Sequence, residues 1–261
     1  MAEPCNGDQR DECSVIVVPC YNEELRLPVS SYRAFLMQRP SVKLLFVNDG
    51  STDATQIVLE RMRAEFPLAV EVLSLERNRG KAEAVRRGLK QASSMNGVAF
   101  TGFWDADLAT PLDELTRLIQ LLSQRSAVDM ILGSRVRLLG RSIERRPLRH
   151  YFGRVFATLA SLTLELPVYD TQCGAKIFRI TPTLLQIFDT PFQSPWTFDV
   201  EILARYRQIR GAEARSGIYE EPLRVWRDVD GSKVTSWDAL KALADLIQIR
   251  RRYGKWSPVP R

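Results

Sequence analysis

The pair Asp105 and Asp107, separated by Ala106, is the feature of this sequence that most directly suggests chemistry. It follows the apolar run from Val98 to Trp104, which predicts a buried strand. Both carboxylates would then lie at the carboxyl end of a strand, where open α/β sheets bind their ligands. A Mg²⁺ site in a protein often uses one or two carboxylates together with phosphate oxygens of the substrate, and Mn²⁺ accepts the same ligands. The pair therefore indicates a divalent cation held against a diphosphate; the alternative is a pair of solvated or helix-capping aspartates.

The elements that position this pair alternate between strands and helices. Apolar runs predict strands at 14–19, 42–47, 69–74, 98–104 and 128–133, and helical spacing predicts helices at 52–66, 81–95 and 111–124. Thr110 is expected to cap the third of these helices, with Pro111 in its first turn. Alternation of this kind predicts an α/β fold with a mostly parallel sheet flanked by helices. Right-handed crossovers would bring the carboxyl ends of its strands to one edge.

The pattern changes after the fifth predicted strand. Helices are expected at 149–166 and 198–208, a polar loop running into a short strand at 170–178, a strand at 217–226, and a basic amphipathic helix at 237–252. The apolar face of the last helix is expected to contain Leu240, Leu243, Ala244 and Ile247. We therefore expect one domain over residues 12–234, followed by a C-terminal basic helix and tail over 235–261.

Three further predicted strand ends or helix starts carry polar motifs. They are VPCYNEE at 18–24, VNDGSTD at 47–53 and NRGKAEA at 78–84. Asp49 could accept hydrogen bonds from a nucleobase or ribose, and Gly50 permits a tight turn. Lys81 at a helix N-terminus favours an anion, because free backbone N–H groups and a cation meet there. Each motif alone is more often a turn or a cap, but caps do not explain all of them at consecutive strand ends.

Composition narrows the function class. The net charge is +6, and seven arginines with one glutamate lie between Arg135 and Arg154, which implies an anionic partner. His150 is the single histidine, so a Ser-His-Asp hydrolase or a histidine-rich zinc site is nearly excluded. The spacing of the four cysteines is not typical of metal ligands or of a disulfide framework, so we expect free thiols in a reducing cytoplasm. The polar N-terminal segment does not resemble a signal peptide.

The ordered motifs resemble glycosyltransferase family 2, whose members are inverting enzymes of GT-A fold. VPCYNEE, NDGSTD, NRGKAEA, DAD and GSR carry this resemblance, and it covers about residues 14 to 235. Three later strings, YDTQCGAKIFR (169–179), PWTFDVEIL (195–203) and EEPLRVWRDVDGSKV (220–234), resemble the branch that transfers glucose or mannose to dolichyl or polyprenyl phosphate. Ala109 stands where mannosyl members often have a metal-assisting glutamine, which favours UDP-glucose over GDP-mannose as the donor.

The resemblance also implies roles for individual residues. The donor nucleotide-sugar would be bound by Pro19, Tyr21, Glu23, Asp49, Lys81, Asp105 and Ala106. Asp105 and Asp107 would hold Mg²⁺ or Mn²⁺ across the two phosphates. Arg135 and Arg149 would face the acceptor phosphate, and Arg227 and Lys233 would lie on a mobile loop over the diphosphate. The expected catalytic set is Asp105, Asp107, Arg135, Asp199, Arg227 and Lys233.

The sequence leaves three candidate functions open. A polyprenyl phosphate acceptor is already an anionic nucleophile and needs no base, since the second pKa of a phosphate monoester is about 6. A saccharide or other hydroxyl acceptor would need one, and Asp199 and Glu201 are the candidates; their alternative role is pairing with nearby arginines such as Arg205. The third candidate, a nucleic-acid-binding protein, is disfavoured because the arginines would lie beside the acidic Asp-x-Asp edge, which would repel a phosphate backbone in the absence of a metal ion.

A lipid acceptor requires a membrane partner. We expect the segment from Trp237 to Trp256, with Arg250, Arg251, Arg252 and Tyr253, to lie on an anionic leaflet at the cytoplasmic face. The alternative is a helix packed on the domain with a solvated basic face. The sequence does not indicate an oligomeric state.

Overall fold

The computed structural model describes residues 13–144, 147–229 and 236–254. Its nine strands within those ranges are β1 (Cys13–Cys20), β2 (Val42–Asn48), β3 (Val70–Ser74), β4 (Val98–Trp104), β5 (Met130–Ser134), β6 (Ser142–Glu144), β7 (Ala175–Arg179), β8 (Ile218–Pro222) and β9 (Val225–Arg227). The helices are α1 (Val29–Gln38), α2 (Thr55–Glu65), α3 (Lys81–Ser93), α4 (Leu112–Ser123), α5 (Pro147–Leu164), α6 (Pro182–Asp189), α7 (Phe198–Arg210) and α8 (Ser236–Tyr253), with a 3₁₀ turn at Gly211–Arg215.

Seven strands form one sheet in the order β3-β2-β1-β4-β7-β5-β8. The pairs among β1, β2, β3 and β4 are parallel, as is β5 with β8, whereas β7 runs antiparallel to both of its neighbours. The expected α/β architecture with a mostly parallel sheet is therefore confirmed. A second, two-stranded sheet pairs β6 with β9 in parallel.

Helices cover both faces of the large sheet, as the alternating side chains of β1 show. Val15 and Val17 face a core shared with α3, α5, α6, α7 and α8, whereas Ile16 and Val18 face a core shared with α1, α2 and α4. Successive strand side chains point to opposite faces, so a strand covered on both sides becomes apolar throughout. This is why the run 15–18 is continuously apolar rather than alternating.

The structure differs from the sequence expectations at several boundaries. Helices α1 and α6 and strand β6 were not expected. The run expected as one strand at 217–226 is divided, because Ile218–Pro222 pairs with β5 in the large sheet whereas Val225–Arg227 pairs with β6 in the small one. Pro111, rather than Thr110, occupies the N-cap position of α4, and no side chain caps that helix.

Helix α8 packs through a different face from the one expected. Its buried residues include Ala242, Leu246, Ile249 and Tyr253, whereas Leu243 and Ile247 are exposed. Leu246, Ile249 and Tyr253 belong to the same core as α3 and α7. Helix α8 therefore packs on the main sheet domain. None of the helices in the described ranges is both long and apolar enough to cross a membrane.

Candidate active site

The two aspartates of the Asp-x-Asp pair lie in a tightly held turn at the carboxyl end of β4. The backbone N–H of Asp105 donates to Gly174 O at 3.1 Å, and its carbonyl accepts from Leu108 N at 3.2 Å. Asp107 Oδ1 accepts from Ala109 N at 3.0 Å. Leu108 has a φ of 52°, an uncommon conformation for a residue with a side chain. The backbone of the turn thus fixes where both carboxylates lie.

Lys81 pairs with Asp105 at this edge. It begins α3, directly after Gly80, whose φ of 88° favours glycine. Its Nζ donates to Asp105 Oδ1, and the two side chains are 43% and 34% exposed, so the pair faces open space. Desolvation alone would lower the pKa of Lys81, but Asp105 and Asp199 raise it above its ordinary value. The site therefore presents a fixed cation beside two carboxylates, which suits a phosphate carried with a metal ion.

The pair of carboxylates fits a divalent cation. Desolvation, together with the neighbouring charge of Asp105, raises the pKa of Asp107. A cation between the two groups would relieve that repulsion. Within the described ranges no three His, Cys, Asp or Glu side chains are grouped to hold a metal. An ion here would take its remaining ligands from phosphate oxygens and water, as Mg²⁺ commonly does.

A buried ion pair lies beneath the exposed one. Lys176 is fully buried and donates to Asp199 Oδ1 at 2.5 Å and to Cys173 O at 2.6 Å. Burial raises the pKa of Asp199, although Lys176 and Lys81 oppose that shift, and the charge of Asp105 adds to it. Asp199 therefore belongs to the electrostatic environment of Lys81 and Asp105. Of the two candidate bases, it is the one that the fold brings to the site.

Glu201 is committed to a different network. It is fully buried, and its oxygens accept from Arg205, from Tyr253 Oη at 2.8 Å and from Gln193 N at 2.8 Å. These bonds join α7 to the last turn of α8. Glu201 thus holds the two helices together and has no exposed surface for a substrate, in agreement with the alternative role expected for it.

Asp49 organises the turn that delivers Lys81. It is 3% exposed, and its two oxygens accept from Arg79 N and Gly80 N, each at 2.8 Å. Gly50 has a φ of 63°, and a Cβ there would overlap the backbone of Arg77 and Asn78. Each carboxylate oxygen of Asp49 thus already accepts one backbone hydrogen bond. The expected contact of Asp49 with a nucleoside stays a prediction.

The other expected donor-binding residues lie at the same sheet edge. Pro19 pairs with Val47 near the ends of β1 and β2, and Tyr21 is 38% exposed just beyond β1. The backbone N–H of Glu23 donates to Thr55 Oγ1 at 2.8 Å, which ties the 21–24 loop to the start of α2. Ala106 is buried, and its carbonyl accepts from Tyr32 Oη at 3.1 Å.

Sequence reasoning missed several residues that position this edge. Tyr32 lies on α1, which was not expected, and it supports the Asp-x-Asp turn through Ala106. Asn22 has a φ of 54°; its amide oxygen accepts from Thr52 N, and its backbone N–H donates to Ser51 Oγ. Asn is enriched in this conformation, so the motif YNEE carries a weak signal for it.

Arg135 is engaged by an acidic partner rather than standing free for a phosphate. Its Nε and Nη2 donate to the two oxygens of Asp170 at 2.7 and 2.8 Å, and its side chain is 14% exposed. Glu220 in turn accepts from the backbone N–H groups of Tyr169 and Asp170. We call Arg135, Asp170 and Glu220 the loop clamp, because they fix the segment that leads to Gly174. The expectation that Arg135 faces the acceptor phosphate stays a prediction; two of the side-chain donors of Arg135 already hold Asp170.

The side chain of Arg227, unlike that of Arg135, is largely exposed to solvent. This side chain is 70% exposed, and its Nε lies 3.9 Å from Glu144 Oε1. Its backbone N–H donates to Ala109 O, so it lies beside the Asp-x-Asp turn. Lys233 and the side chain of Arg149 lie outside the described residues, so their expected roles stay predictions.

Comparison with known protein families identifies the family of this chain. Residues 15–183 match the family described as Glycosyl transferase family 2. The chain belongs to glycosyltransferase family 2. The matched range includes both aspartates, Lys81, Arg135 and Asp170, whereas Asp199, Glu220 and Arg227 follow it in the chain.

Proteins with curated names give the same class over most of the chain. The dolichyl-phosphate beta-glucosyltransferase of Saccharomyces cerevisiae is 33% identical over 258 residues, covering 91% of this chain and 74% of that protein. The protein of the same name from Homo sapiens is 31% identical over 263 residues, covering 92% and 76%. The family 2 chain is therefore a glycosyltransferase.

Solved structures confirm the GT-A fold. Glucosyl-3-phosphoglycerate synthase from Mycobacterium tuberculosis, in complex with UDP, superposes with a TM-score of 0.67 at 19% identity, covering 99% of this chain and 87% of that one. A mannosyltransferase from Pyrobaculum calidifontis, in complex with GDP-Man and Mn²⁺, gives a TM-score of 0.58 at 17% identity, covering 95% and 65%. At such identities the likeness concerns the fold.

Proposed function

We propose that this glycosyltransferase transfers glucose from UDP-glucose to the phosphate of a polyprenyl or dolichyl phosphate, with inversion at the anomeric carbon and with a divalent cation. The observation that carries the proposal is the group formed by Lys81, Asp105 and Asp107 at the carboxyl edge of the sheet. The relatives named dolichyl-phosphate beta-glucosyltransferase support the choice of sugar and acceptor.

The donor would bind with its diphosphate over this group. Asp105 and Asp107 would hold Mg²⁺ or Mn²⁺, which when bound neutralises charge that develops on the leaving diphosphate. Lys81 would bind a phosphate oxygen from the other side, where it already stands beside Asp105. Arg227 is exposed next to the same turn and would add a second cation. Both side chains would stabilise the transition state where negative charge grows.

The acceptor would attack as an anion. An oxygen of the polyprenyl phosphate forms a bond to the anomeric carbon from the face opposite the diphosphate, while the bond to UDP breaks. The phosphate is largely ionised near neutral pH, so no side chain must remove a proton. The tie between Asp199 and Lys176 agrees with this mechanism, because a carboxylate paired with a buried ammonium is held in place rather than free to move to a substrate.

One observation supports a second candidate, a hydroxyl acceptor. The pKa of Asp199 is raised by burial, and the group lies in the field of Lys81 and Asp105, as a general base near the donor would. In that case Asp199 would take the proton of the attacking hydroxyl. GDP-mannose is the alternative donor, and the alanine at position 109 argues against it.

A polyprenyl chain stays in the bilayer, so the proposal includes peripheral association with the cytoplasmic face of a membrane. The exposed Leu243 and Ile247 on α8, next to Arg250 and Arg251, support it. Tyr253 does not contribute, since it is 7% exposed and bonded to Glu201.

A transfer assay tests the proposal. Purified protein is offered UDP-glucose, UDP-GlcNAc or GDP-mannose, with and without polyprenyl phosphate, Mn²⁺ and EDTA. We expect a β-linked product from UDP-glucose with polyprenyl phosphate, abolished by EDTA. Product with a saccharide and not with the lipid phosphate would contradict the proposed acceptor.

Matched variants assign the residues. Asp105→Asn and Asp107→Asn should each lower kcat/KM by about a hundredfold or more, because each removes a charge that acts on the transition state. Asp189→Asn, on a side chain that is 73% exposed on α6, should leave the rate unchanged. Asp199→Asn should lower it by about a hundredfold or more if a hydroxyl is the acceptor, as general-base catalysis contributes that much. A change within about twofold would support the lipid phosphate.

A further inference from the structure

A lysine is buried in the middle of the large sheet. Lys176 lies on β7, where it is paired with Phe103 of β4 on one side and with Leu132 of β5 on the other. Its side chain is fully buried, and its Nζ lies 5.1 Å from the centroid of the Phe103 ring. Moving an ammonium group from water into such surroundings costs free energy unless hydrogen bonds and an opposite charge compensate for it. The role of Lys176 must therefore be sought in what its ammonium binds.

The ammonium of Lys176 joins two segments that border the active site. It donates to Cys173 O at 2.6 Å, on the segment before β7, and to Asp199 Oδ1 at 2.5 Å, in the first turn of α7. The strand that carries Lys176 is paired on both sides, so its backbone gives these two contacts a rigid base. Lys176 thus connects the Cys173 carbonyl and the start of α7 to the sheet.

The segment held through Cys173 is the one that limits the position of Asp105. Gly174 follows Cys173, and its carbonyl accepts from Asp105 N at 3.1 Å. A Cβ built on Gly174 would overlap the Asp105 carboxylate, so this carboxylate lies directly against the glycine backbone. A shift of the 173–174 peptide would therefore move Asp105, one of the two residues expected to hold the cation.

Stability alone does not explain the buried pair of Lys176 and Asp199. The surroundings are apolar, since the rings of Phe103 and Phe198 pack with their centroids 5.7 Å apart. Replacing a buried ion pair with apolar side chains of similar volume often leaves stability unchanged or raises it. Apolar side chains would, however, leave the Cys173 carbonyl without this donor. The particular contribution of Lys176 is therefore a directed hydrogen bond to the segment behind Asp105.

We propose that Lys176 is a positioning residue of the active site: its ammonium fixes the Cys173–Gly174 backbone, and through it the carboxylate of Asp105, where the divalent cation and the diphosphate bind. This inference rests on the proposed function. Because Lys176 is fully buried, it acts through this backbone and not by contact with the donor. Removing a group that orients a metal ligand typically costs about 10- to 100-fold in metal affinity or activity.

Binding of Mn²⁺ in the presence of UDP tests the proposal, because it reports on the position of Asp105 without requiring transfer. Free Mn²⁺ is followed by its electron paramagnetic resonance signal for the wild type, Lys176→Met, Asp199→Asn and the double variant that combines the two. We expect the Kd for Mn²⁺ to rise about tenfold or more in both variants that lack the lysine, and kcat/KM for UDP-glucose to fall by a similar factor. Asp199→Asn keeps an oxygen that accepts from Lys176, so its Kd for Mn²⁺ should stay within about twofold of the wild type.

The double variant separates positioning from charge balance. Lys176→Met alone leaves the Asp199 carboxylate buried without its ammonium and should lower the melting temperature. The double variant removes both charges and should recover part of that loss, so it remains informative if Lys176→Met does not fold. A double variant that binds Mn²⁺ as tightly as the wild type would show that Lys176 only balances the charge of Asp199, and the proposal would be overturned.

Arg205→Met is the matched control. It removes the cation of a second buried ion pair on α7, in which Glu201 keeps two other hydrogen-bond donors. The melting temperature should fall, but the Kd for Mn²⁺ should stay within about twofold of the wild type, because this pair joins α7 to α8 and not to Asp105. An equal rise in Kd for Arg205→Met and Lys176→Met would mean that general loosening weakens the site, which would also overturn the proposal.

The wild type separates this inference from the proposed function. If it binds Mn²⁺ with UDP but transfers glucose to no lipid phosphate, the proposed function fails, while the Mn²⁺ affinities of the variants still decide the role of Lys176. If it binds no Mn²⁺ in the presence of UDP, both are overturned.

Discussion

At Gly174 the active site leaves no room for a side chain. A Cβ built there would overlap the carboxylate of Asp105, and the backbone carbonyl of Gly174 already accepts from Asp105 N. The loop clamp holds this segment in place from the other side. The close approach of the glycine backbone thus defines one wall of the site.

Gly174→Ala should therefore displace Asp105 without removing any charged group. We expect kcat/KM to fall about a hundredfold, since misplacing a catalytic group by about 1 Å can cost that much. Gly97→Ala is the control: Gly97 has a positive φ, but a Cβ there meets nothing within 4 Å. It should cost about 1 kcal/mol in stability and leave the rate unchanged. Equal rates for the two variants would show that Asp105 does not need its present position.

The residues of the site could be recognised from sequence, but their bonding could not. The strand-end motifs identified Asp49, Lys81, Asp105 and Asp107, because the carboxyl ends of parallel strands meet at one edge. The partners that change the role of a carboxylate are far away along the chain. Asp49 bonds to residues 30 and 31 positions later, and Glu201 bonds to a tyrosine 52 positions later. One sequence contains no signal for such pairings.

At the scale of elements, helix α3 is joined to α6 through Arg86 and Lys90, and Lys90 donates to the carboxylate of Asp189 at 3.1 Å. Arg86 Nη1 donates to Phe188 O and Asp189 O, and Glu83 orients it through two further hydrogen bonds. Arg87 also donates to Glu83 at 2.7 Å. The hydrogen bonds from Arg86, helped by Arg87, lower the pKa of Glu83 from 4.5 to about 2. This network holds the helix whose first residue is Lys81.

The lowered pKa predicts a pH-dependent contribution to stability. A carboxylate with a depressed folded pKa stabilises the fold above its unfolded pKa and loses that effect as pH falls through the folded value. For Glu83 the window runs from about pH 4.5 down to about pH 2. Glu83→Gln should thus lower the free energy of unfolding by about 1 to 3 kcal/mol at neutral pH, and the difference from wild type should shrink as pH falls through this window.

Urea unfolding at a series of pH values measures this difference. Glu213→Gln is the control, because that side chain is 76% exposed and its pairing with Arg210 should contribute little. A difference between Glu83→Gln and wild type that is constant down to pH 3 would contradict the linkage.

Elements with strong periodicity were predictable and those defined by pairing were not. The first five strands agree with the sequence expectation to within two residues at each end, because each is a short run rich in apolar, mostly β-branched or aromatic residues. Strand β7 was expected as a short strand, but its place between β4 and β5, antiparallel to both, depends on contacts distant in sequence. Helix α1 is weakly amphipathic, burying Tyr32, Phe35 and Leu36, and it carries no capping side chain.

At the scale of the whole molecule, the question is whether α8 unfolds with the sheet. Its buried face contributes to the core on the α3 side, and its last turn bonds to Glu201 and Arg205. Arg250 also donates to Thr163 O and to Glu165 at the end of α5. These contacts join α8 to α5 and α7, and the domain boundary expected at residue 235 stays a prediction.

The expected and observed faces of α8 differ by about one position, which is about 100° around a helix. The sequence offers apolar residues on both sides, Leu243 and Ile247 on one and Leu246 and Ile249 on the other. Periodicity alone does not choose between them. The hydroxyl of Tyr253 reaches Glu201 only when the face with Leu246 and Ile249 packs on the core. The observed orientation of α8 is therefore accompanied by a polar contact at the end of the helix.

Tyr253→Ala and Ile247→Ala distinguish the two faces and test the cooperativity of the domain. Tyr253 is 7% exposed and Ile247 is 55% exposed. Tyr253→Ala should lower the free energy of unfolding by about 3 kcal/mol or more, since it removes a buried ring, while Ile247→Ala should change it by about 0.5 kcal/mol or less. If α8 belongs to the same cooperative unit, urea denaturation of Tyr253→Ala followed by tryptophan fluorescence and by circular dichroism should give one transition at one midpoint. Two separate transitions would show instead that the helix is an independent appendage of the sheet.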